Sequence, residues 1–196
     1  MNLKAERGAA TRDRVLAIAT RLFAERGYDD TSIETVLQES GLSRGALYHH
    51  YAGKDALFEA VLEATESAVG EQIMQAVRGI TDPAQSLEAG VLAWIRLAGD
   101  PVIQRIVLID APAVLGWQRW RAMEERYSFG MLKAALAATR TVPREFLDLH
   151  AHMLLAAINE SVLLVARGGE RSTAEAAVQE FLRRLLRGSR EAPTES

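Results

Sequence analysis

The sequence has no cysteine, which excludes disulfides and thiolate metal sites. No apolar run approaches the roughly 20 residues that a membrane-spanning helix needs. The opening stretch MNLKAERGAATRDR lacks the apolar core of a secretion signal. These absences lead us to expect a cytoplasmic protein with no membrane partner. A surplus of positive charge is also lacking. The formal net charge is −3, so the total does not point to nucleic acid. There is no strand pattern and no internal repeat. Asp110, Glu124, Glu125, His150, His152 and Glu160 are titratable, yet no Ser-His-Asp order, phosphate loop or H-E-x-x-H pattern ties them into a site. His150 and His152 are two apart and fall on different faces of a helix, with no third ligand at a useful spacing. No metal and no cofactor is expected.

What the chain does have is helical periodicity. Its 196 residues, 48% hydrophobic, suffice for one or two small domains with packed cores. Val15, Ile18, Ala19, Leu22 and Phe23 stand at i, i+3, i+4, i+7 and i+8, an apolar stripe on a helix of about 10–26 that Gly27 ends. Residues 1–9 read as a loose arm. The stretch TSIETVLQESGLSRGALYHHY, residues 31–51, reads as two short helices and a tight joint. Thr31 and Glu34 form an S/T-x-x-E capping box. Ile33, Val36 and Leu37 supply a stripe, and Gly41 is free to take the positive φ of a helix C-terminus. Ser43 is the N-cap of a second helix, 44 to about 50. Leu42 and Leu47 can turn back to the first helix, leaving Arg44, Gly45, Ala46, Tyr48 and His49 outward. Small residues allow a close backbone approach, and Arg, Tyr and His donate hydrogen bonds to phosphates or base edges. That is the layout of a helix-turn-helix whose second helix enters the major groove. The local charge agrees: from Ser40 to Lys54 there are Arg44, Lys54, two histidines and no acid. Glu25, Asp29, Asp30 and Glu34 are expected to face elsewhere.

The stretch from about Ala9 to Glu63 contains, in order, TRDRVLAIATRLFAERGY, SGLSRG, LYHHY and GKDALFEAVLE. In these pieces the chain resembles the DNA-binding domain of the tetracycline-repressor (TetR/AcrR) family of transcriptional regulators. The resemblance implies that Thr31, Ser43, Tyr48, His50 and Lys54 contact phosphates. It implies that Arg44, Gly45, Ala46 and His49 face bases or the groove floor. It further implies an all-α chain of about nine helices. Its expected parts are a helix-turn-helix domain over 9–69 (the motif at about 32–51), a helical effector-binding and dimerising domain over 70–188, and a disordered tail over 189–196. The expected activity is repression of transcription at a palindromic operator by a homodimer, relieved by a small apolar or aromatic effector. A small helical enzyme or a protein-interaction adaptor is the alternative.

Beyond residue 70 the pattern itself carries most of the reading. A helix beginning at about 53 runs to about 80. Asp82-Pro83 starts another to about 98, and Gly99-Asp100-Pro101 opens a sixth. Pro112 should bend the chain within 110–117, with a helix over about 117–139 beyond it. Another follows over about 143–167, and Ser172-x-x-Glu175 is a capping box for the last, ending near 187. The mixture of Trp94, Trp117, Trp120, Tyr127, Phe129, His150, Met153 and Asn159 suits an effector cavity between helices. The broad apolar faces of the last two helices, including Leu155, Val162, Val165, Val178, Phe181, Leu182 and Leu185, suit a twofold interface.

Overall fold

The computed structural model describes residues 3–187; the expected tail, 189–196, lies outside the described residues. All regular structure among the described residues is helical, with no strand among them. The chain divides into two compact units, Met1–Thr65 with Pro101–Trp120, and Glu66–Asp100 with Arg121–Ser196.

The first unit begins with α1 (Leu3–Arg26). The helix starts well before residue 10, so residues 3–9 are helical and not a loose arm. It is followed by α2 (Ile33–Ser40), α3 (Arg44–His50) and the start of α4 (Lys54–Ala76). The cap of α2 differs from the expected one. Ser32, not Thr31, is the N-cap, its hydroxyl accepting from the Thr35 N–H at 3.1 Å. Thr31 is fully buried, and its hydroxyl donates to the carbonyls of Gly27 and Leu22. A threonine just before a helix can serve either way, and here satisfying two buried carbonyls takes it inward. Gly41 closes α2 in the left-handed conformation, φ 68°, its N–H donating to the Leu37 carbonyl. Ser43 caps α3 as expected, accepting from the Ala46 N–H at 3.2 Å.

The core of this unit is the α1 stripe (Val15, Ala19, Leu22, Phe23) closed over by Ile33, Val36, Leu47, Leu57, Phe58, Val61 and Leu62. Three rings meet in it. Phe58 stands edge-on to both Phe23 and Tyr28, with centroids 5.2 and 5.1 Å away. Such pairs add to the burial of their own area. The segment 101–120 completes the unit. It comprises α6 (Pro101–Ile103), a π-helical run Gln104–Asp110, and the first part of α7 (Ala111–Glu124). Asp110 is buried and accepts from the Tyr28 N–H at 2.8 Å and from Arg105 Nε at 3.1 Å. Gly27, φ +82°, sits against that arginine: a Cβ there would lie 1.8 Å from its guanidinium.

The bend expected within 110–117 is present, but Pro112 does not make it. The helix runs through it and breaks at Gly116 (φ 75°, ψ 158°). The wide π turn just before Pro112 accommodates its ring and its missing N–H, whereas Gly116 alone can take the positive φ of the kink.

The second unit holds the rest of α4, then α5 (Pro83–Leu97), the end of α7, a π run Glu125–Phe129, α8 (Gly130–Thr139), a 3₁₀ turn Arg144–Phe146, α9 (Leu147–Ala166) and α10 (Arg171–Arg187). Asp82 caps α5 by accepting from Gln85 N–H, with Pro83 at its start. The expected box at Ser172 does not form. Helix α10 already includes Ser172, whose hydroxyl donates to Glu170. Helices α5, α8, α9 and α10 pack together around Leu87, Val91, Ile95, Leu136, Leu154, Ile158, Val162, Val178 and Leu182. Arg96 pairs with Glu175 and Gln179 donates to Glu88, tying α10 to α5.

Helix 144–166 corrects the expectation about apolar runs: by length and composition it could cross a membrane. One face of it is core, and Asp148, His152, Asn159 and Glu160 interrupt the remainder. The same burial corrects the expected dimer face. Leu155, Val162, Val178 and Leu182 are buried within the single chain and Val165 and Leu185 half-buried; of the expected set only Phe181 is exposed. Helix α9 keeps Leu149, Met153 and Leu164 outside as well as its core side chains within, whereas α10 leaves Phe181 exposed.

Candidate functional site

Helix α3 is seven residues long and is held by one buried side chain, Leu47. The N-cap at Ser43 fixes where it starts. Tyr51, also buried, fixes where it stops, its N–H donating to the Leu47 carbonyl at 2.9 Å. Because Leu47 points in, Ser43, Arg44, Gly45, Tyr48 and His49 are left exposed, and Ala46 and His50 half-exposed. Tyr48 is 44% exposed. No Cβ at Gly45 would meet a neighbour within 4 Å, so the helix start offers an open backbone face.

Two charges border this face. Arg44 reaches back to Glu34 on α2 at 2.5 Å, with both side chains largely exposed. Glu34 therefore does not face elsewhere, as its sequence position suggested. A hydrogen bond to its own backbone and then the guanidinium of Arg44 hold its carboxyl below the ordinary value. On the other side Lys54, in the first turn of α4, is preset. Its ammonium lies 4.1 Å from the centre of the Tyr28 ring and donates to the Asp29 carbonyl at 3.2 Å. Tyr28 is itself fixed through its hydroxyl, which donates to Asp55. Burial and that carboxylate push the phenol up to about 12. Of the residues read from sequence as phosphate contacts, Ser43 and Tyr48 are exposed on α3, His50 is half-exposed there, and Lys54 is held against Tyr28 and Asp29. Thr31 is withdrawn from the set by its burial. Sequence reading missed Tyr28 and Asp110 as the groups that position Lys54, since nothing local in the sequence pairs residues 28 and 110.

The second unit holds a cavity of about 430 Å³. Its walls are Ile73 near the end of α4 and Val77 in the turn after it, Leu87, Val91 and Trp94 on α5, Met131 and Leu132 on α8, and Leu155 and Ile158 on α9. Ser86 and Ser128 bring the hydroxyls. Of the eight residues expected around a cavity, Trp94 alone lines it. Trp117 (64% exposed) and the buried Trp120 pack on one another in the first unit. Phe129 stacks on His152 at 4.1 Å, His150 Nδ1 lies 3.0 Å from the Phe146 carbonyl, Met153 is 60% exposed, and Tyr127 is not among the lining residues. Asn159 donates instead to Glu124. For Tyr127 and Phe129 the cause is register: a π run turns side chains round the axis relative to an α-helical count, and such a run occupies Glu125–Phe129.

Two carboxylates are buried near the Ser128 side. Glu66 is 3% exposed and Glu124 is 6% exposed. Burial first, then the charge of Glu124, pushes Glu66 from 4.5 to about 7, with Ser128 opposing by a hydrogen bond. Burial likewise raises Glu124, against hydrogen bonds from Asn159 and Arg121. Between about pH 4.5 and 7 the native chain keeps a proton on Glu66 that the unfolded chain has released, so stability falls as pH rises through that window. Each tenfold difference in proton affinity between the two states is worth about 1.4 kcal/mol. Glu66→Gln should therefore be more stable than the parent at pH 8 by up to about 3 kcal/mol, with little gain at pH 4. Urea melts at the two pH values check this; equal pH slopes in both proteins would refute a proton held at Glu66.

The model for "Bacterial regulatory proteins, tetR family" matches residues 15–61. The model for "Tetracyclin repressor-like, C-terminal domain" matches residues 84–189. Helix-turn-helix unit and helical unit together therefore place this chain in the TetR family of bacterial regulatory proteins. It is similar to the HTH-type transcriptional regulator LmrA of Bacillus subtilis (strain 168), 38% identical over 81 residues, which cover 40% of this chain and 43% of that protein. The chain spans less than half the length of the curated relatives it matches first. Among solved structures, a TetR-family regulator from Pectobacterium atrosepticum is 30% identical and superposes with TM-score 0.74, covering 93% of this chain and 95% of that one. RolR, solved with resorcinol, shares the fold at 18% identity and TM-score 0.68, over 98% of each chain.

Proposed function

We propose that the chain is a sequence-specific transcriptional regulator acting as a repressor, a cytoplasmic homodimer that α3 seats in the major groove of a palindromic operator. The observation that carries this is the exposed face of α3: a capped helix anchored by Leu47, with Arg44, Gly45, Tyr48 and His49 outward and Lys54 preset beside it. Base edges are read by Arg44 and His49, with Gly45 and Ala46 allowing close approach. Ser43, Tyr48, His50 and Lys54 take phosphates. DNA binding belongs to the first unit, which takes in the expected 9–69 as far as Thr65 and adds 101–120, and the second unit takes the effector and the second copy.

Two recognition helices must meet successive major-groove turns, roughly 34–36 Å apart, and this requires a twofold assembly. The face supporting it is the outer stripe of α9, Leu149, Met153 and Leu164, with Phe181 on α10; all four are exposed apolar side chains. At i, i+4 and i+15 the three α9 side chains fall within about 60° of one another round the helix axis, so they share one side of it.

The cavity walled by Trp94, Leu87, Met131 and Ile158 supports a small apolar or aromatic effector. RolR was solved with a small aromatic diol. An effector that binds the DNA-free state better by ~1–3 kcal/mol would lower operator affinity ~5–150-fold. Helix α4, which carries Lys54 at one end and Ile73 towards the other, is one of three places where the chain passes between the units. A small helical enzyme or an adaptor is not favoured, because both parts of the chain match regulator models.

A gel shift with DNA from upstream of the chain's own gene tests the reading. The protein should retard it, with affinity falling steeply as salt rises, because several phosphate contacts release counterions. No retardation of that DNA or of a random-sequence pool at low salt would overturn it.

A further inference from the structure

We propose that the cavity of the second unit takes an amphiphile with a cationic amine head, its tail between α4, α5, α8 and α9 and its nitrogen against Glu66 and Glu124. The inference rests on the effector-cavity reading above and adds the charge of the ligand. Three observations carry it. First, Glu66, Gly70 and Ile73 share one face of α4 at i, i+4 and i+7; Ile73 lines the cavity, and Gly70 stands against Met131, which also lines it. Seven residues are about 10.5 Å of helix, so Glu66 stands that far along α4 from Ile73 in the cavity wall. Second, Ser128 belongs to both: it lines the cavity and its hydroxyl donates to Glu66. Third, one carboxylate oxygen of Glu66, Oε2, is buried with no hydrogen-bond partner, an uncommon condition for a charged group inside a protein.

The charges round these acids leave them short of a cation. Arg121 faces Glu124 at 3.3 Å, Asn159 donates to Glu124, Ser128 donates to Glu66, and Glu125 adds a further negative charge near Glu124. Without a ligand, a proton balances the pair. An ammonium group supplies three donors and the missing charge, and it meets a carboxylate in a dry place, where charge-assisted hydrogen bonds are strongest. A neutral hydroxyl could take one oxygen and leave the charge unbalanced; a carboxylate would be repelled. Binding of the ammonium displaces the proton, so affinity should strengthen with rising pH up to about the value at which Glu66 ionises.

The test uses octylamine, octanol and octanoate on the full-length protein, by calorimetric titration at pH 6 and pH 8, with the Glu66→Gln variant beside the parent. The extended eight-carbon chain is comparable to the ~10.5 Å of helix between Glu66 and Ile73. We expect octylamine to bind the parent at least about tenfold more tightly than octanol at pH 8, with a smaller preference at pH 6, and octanoate to bind weakest. Glu66→Gln should bind octanol as the parent does and lose the preference for the amine. Equal affinities for amine and alcohol in the parent, the same preference at both pH values, or a preference surviving in Glu66→Gln would overturn the amine head while leaving the cavity reading in place. Failure of all three compounds to bind would overturn both. The pH comparison on the parent decides the matter even where the variant does not fold.

Discussion

Arg44→Ala and Tyr48→Ala are each expected to lower operator affinity at least about thirtyfold while leaving the thermal melt unchanged. A good base or phosphate contact is worth ~1–3 kcal/mol. In a twofold complex each substitution removes two such contacts, one per reading head, and the losses multiply. The fold should not notice. Tyr48 is exposed, and Arg44 makes a solvent-exposed pair with Glu34, a kind of pair that adds little to stability. The two variants also differ in a useful way. If Arg44 grips a guanine edge, its loss relaxes the preference for operator over random DNA. If Tyr48 grips a phosphate, its loss weakens both DNAs alike and flattens the salt dependence. Fluorescence anisotropy with operator and scrambled duplexes at several salt concentrations measures this. Affinities within twofold of the parent for both variants would remove α3 from the interface.

Phe58→Ala is expected to destabilise the first unit by about 3–5 kcal/mol. Phe58 is fully buried and stands edge-on to both Phe23 and Tyr28. Deleting the ring leaves a cavity and removes two aromatic contacts. It also loosens Tyr28, on which Lys54 rests and whose N–H is held by Asp110. For a domain with a total stability of about 5–15 kcal/mol, this approaches unfolding. DNA binding should fail together with the melting of the helices, unlike the Tyr48→Ala case. A denaturant melt followed by circular dichroism checks it; a loss under about 1 kcal/mol would show that the three rings do not form one packed core.

The reading of α3 from sequence worked because its determinants are local. Ser43 as cap, Leu47 as anchor, and small then hydrogen-bonding residues on the remaining face all lie within seven positions, and periodicity settles which side is which. Thr31 failed for a nearby reason: one position decides whether a hydroxyl caps a helix or turns inward, and Ser32 competes for the first role. The cavity was less legible. Glu125–Phe129 is a π turn, so a count at 3.6 residues per turn puts Tyr127, Phe129 and their neighbours on the wrong side. Glu66 and Glu124 lie 58 positions apart, and only packing brings their charges together. Most of the residues expected at a twofold interface belong to the single-chain core, because α9 is apolar on two sides. Sequence alone does not say that Leu155 and Val162 go to the core while Met153 and Leu164 stay out.

Methylation interference at guanine N7, an atom reached only from the major groove, tests the central claim most directly. The account predicts two clusters of interfering guanines related by a twofold axis and centred one helical turn apart, about 10 base pairs, both fading when Arg44→Ala replaces the parent protein. Interference confined to one cluster, or protein bound with no major-groove interference at all, would contradict it.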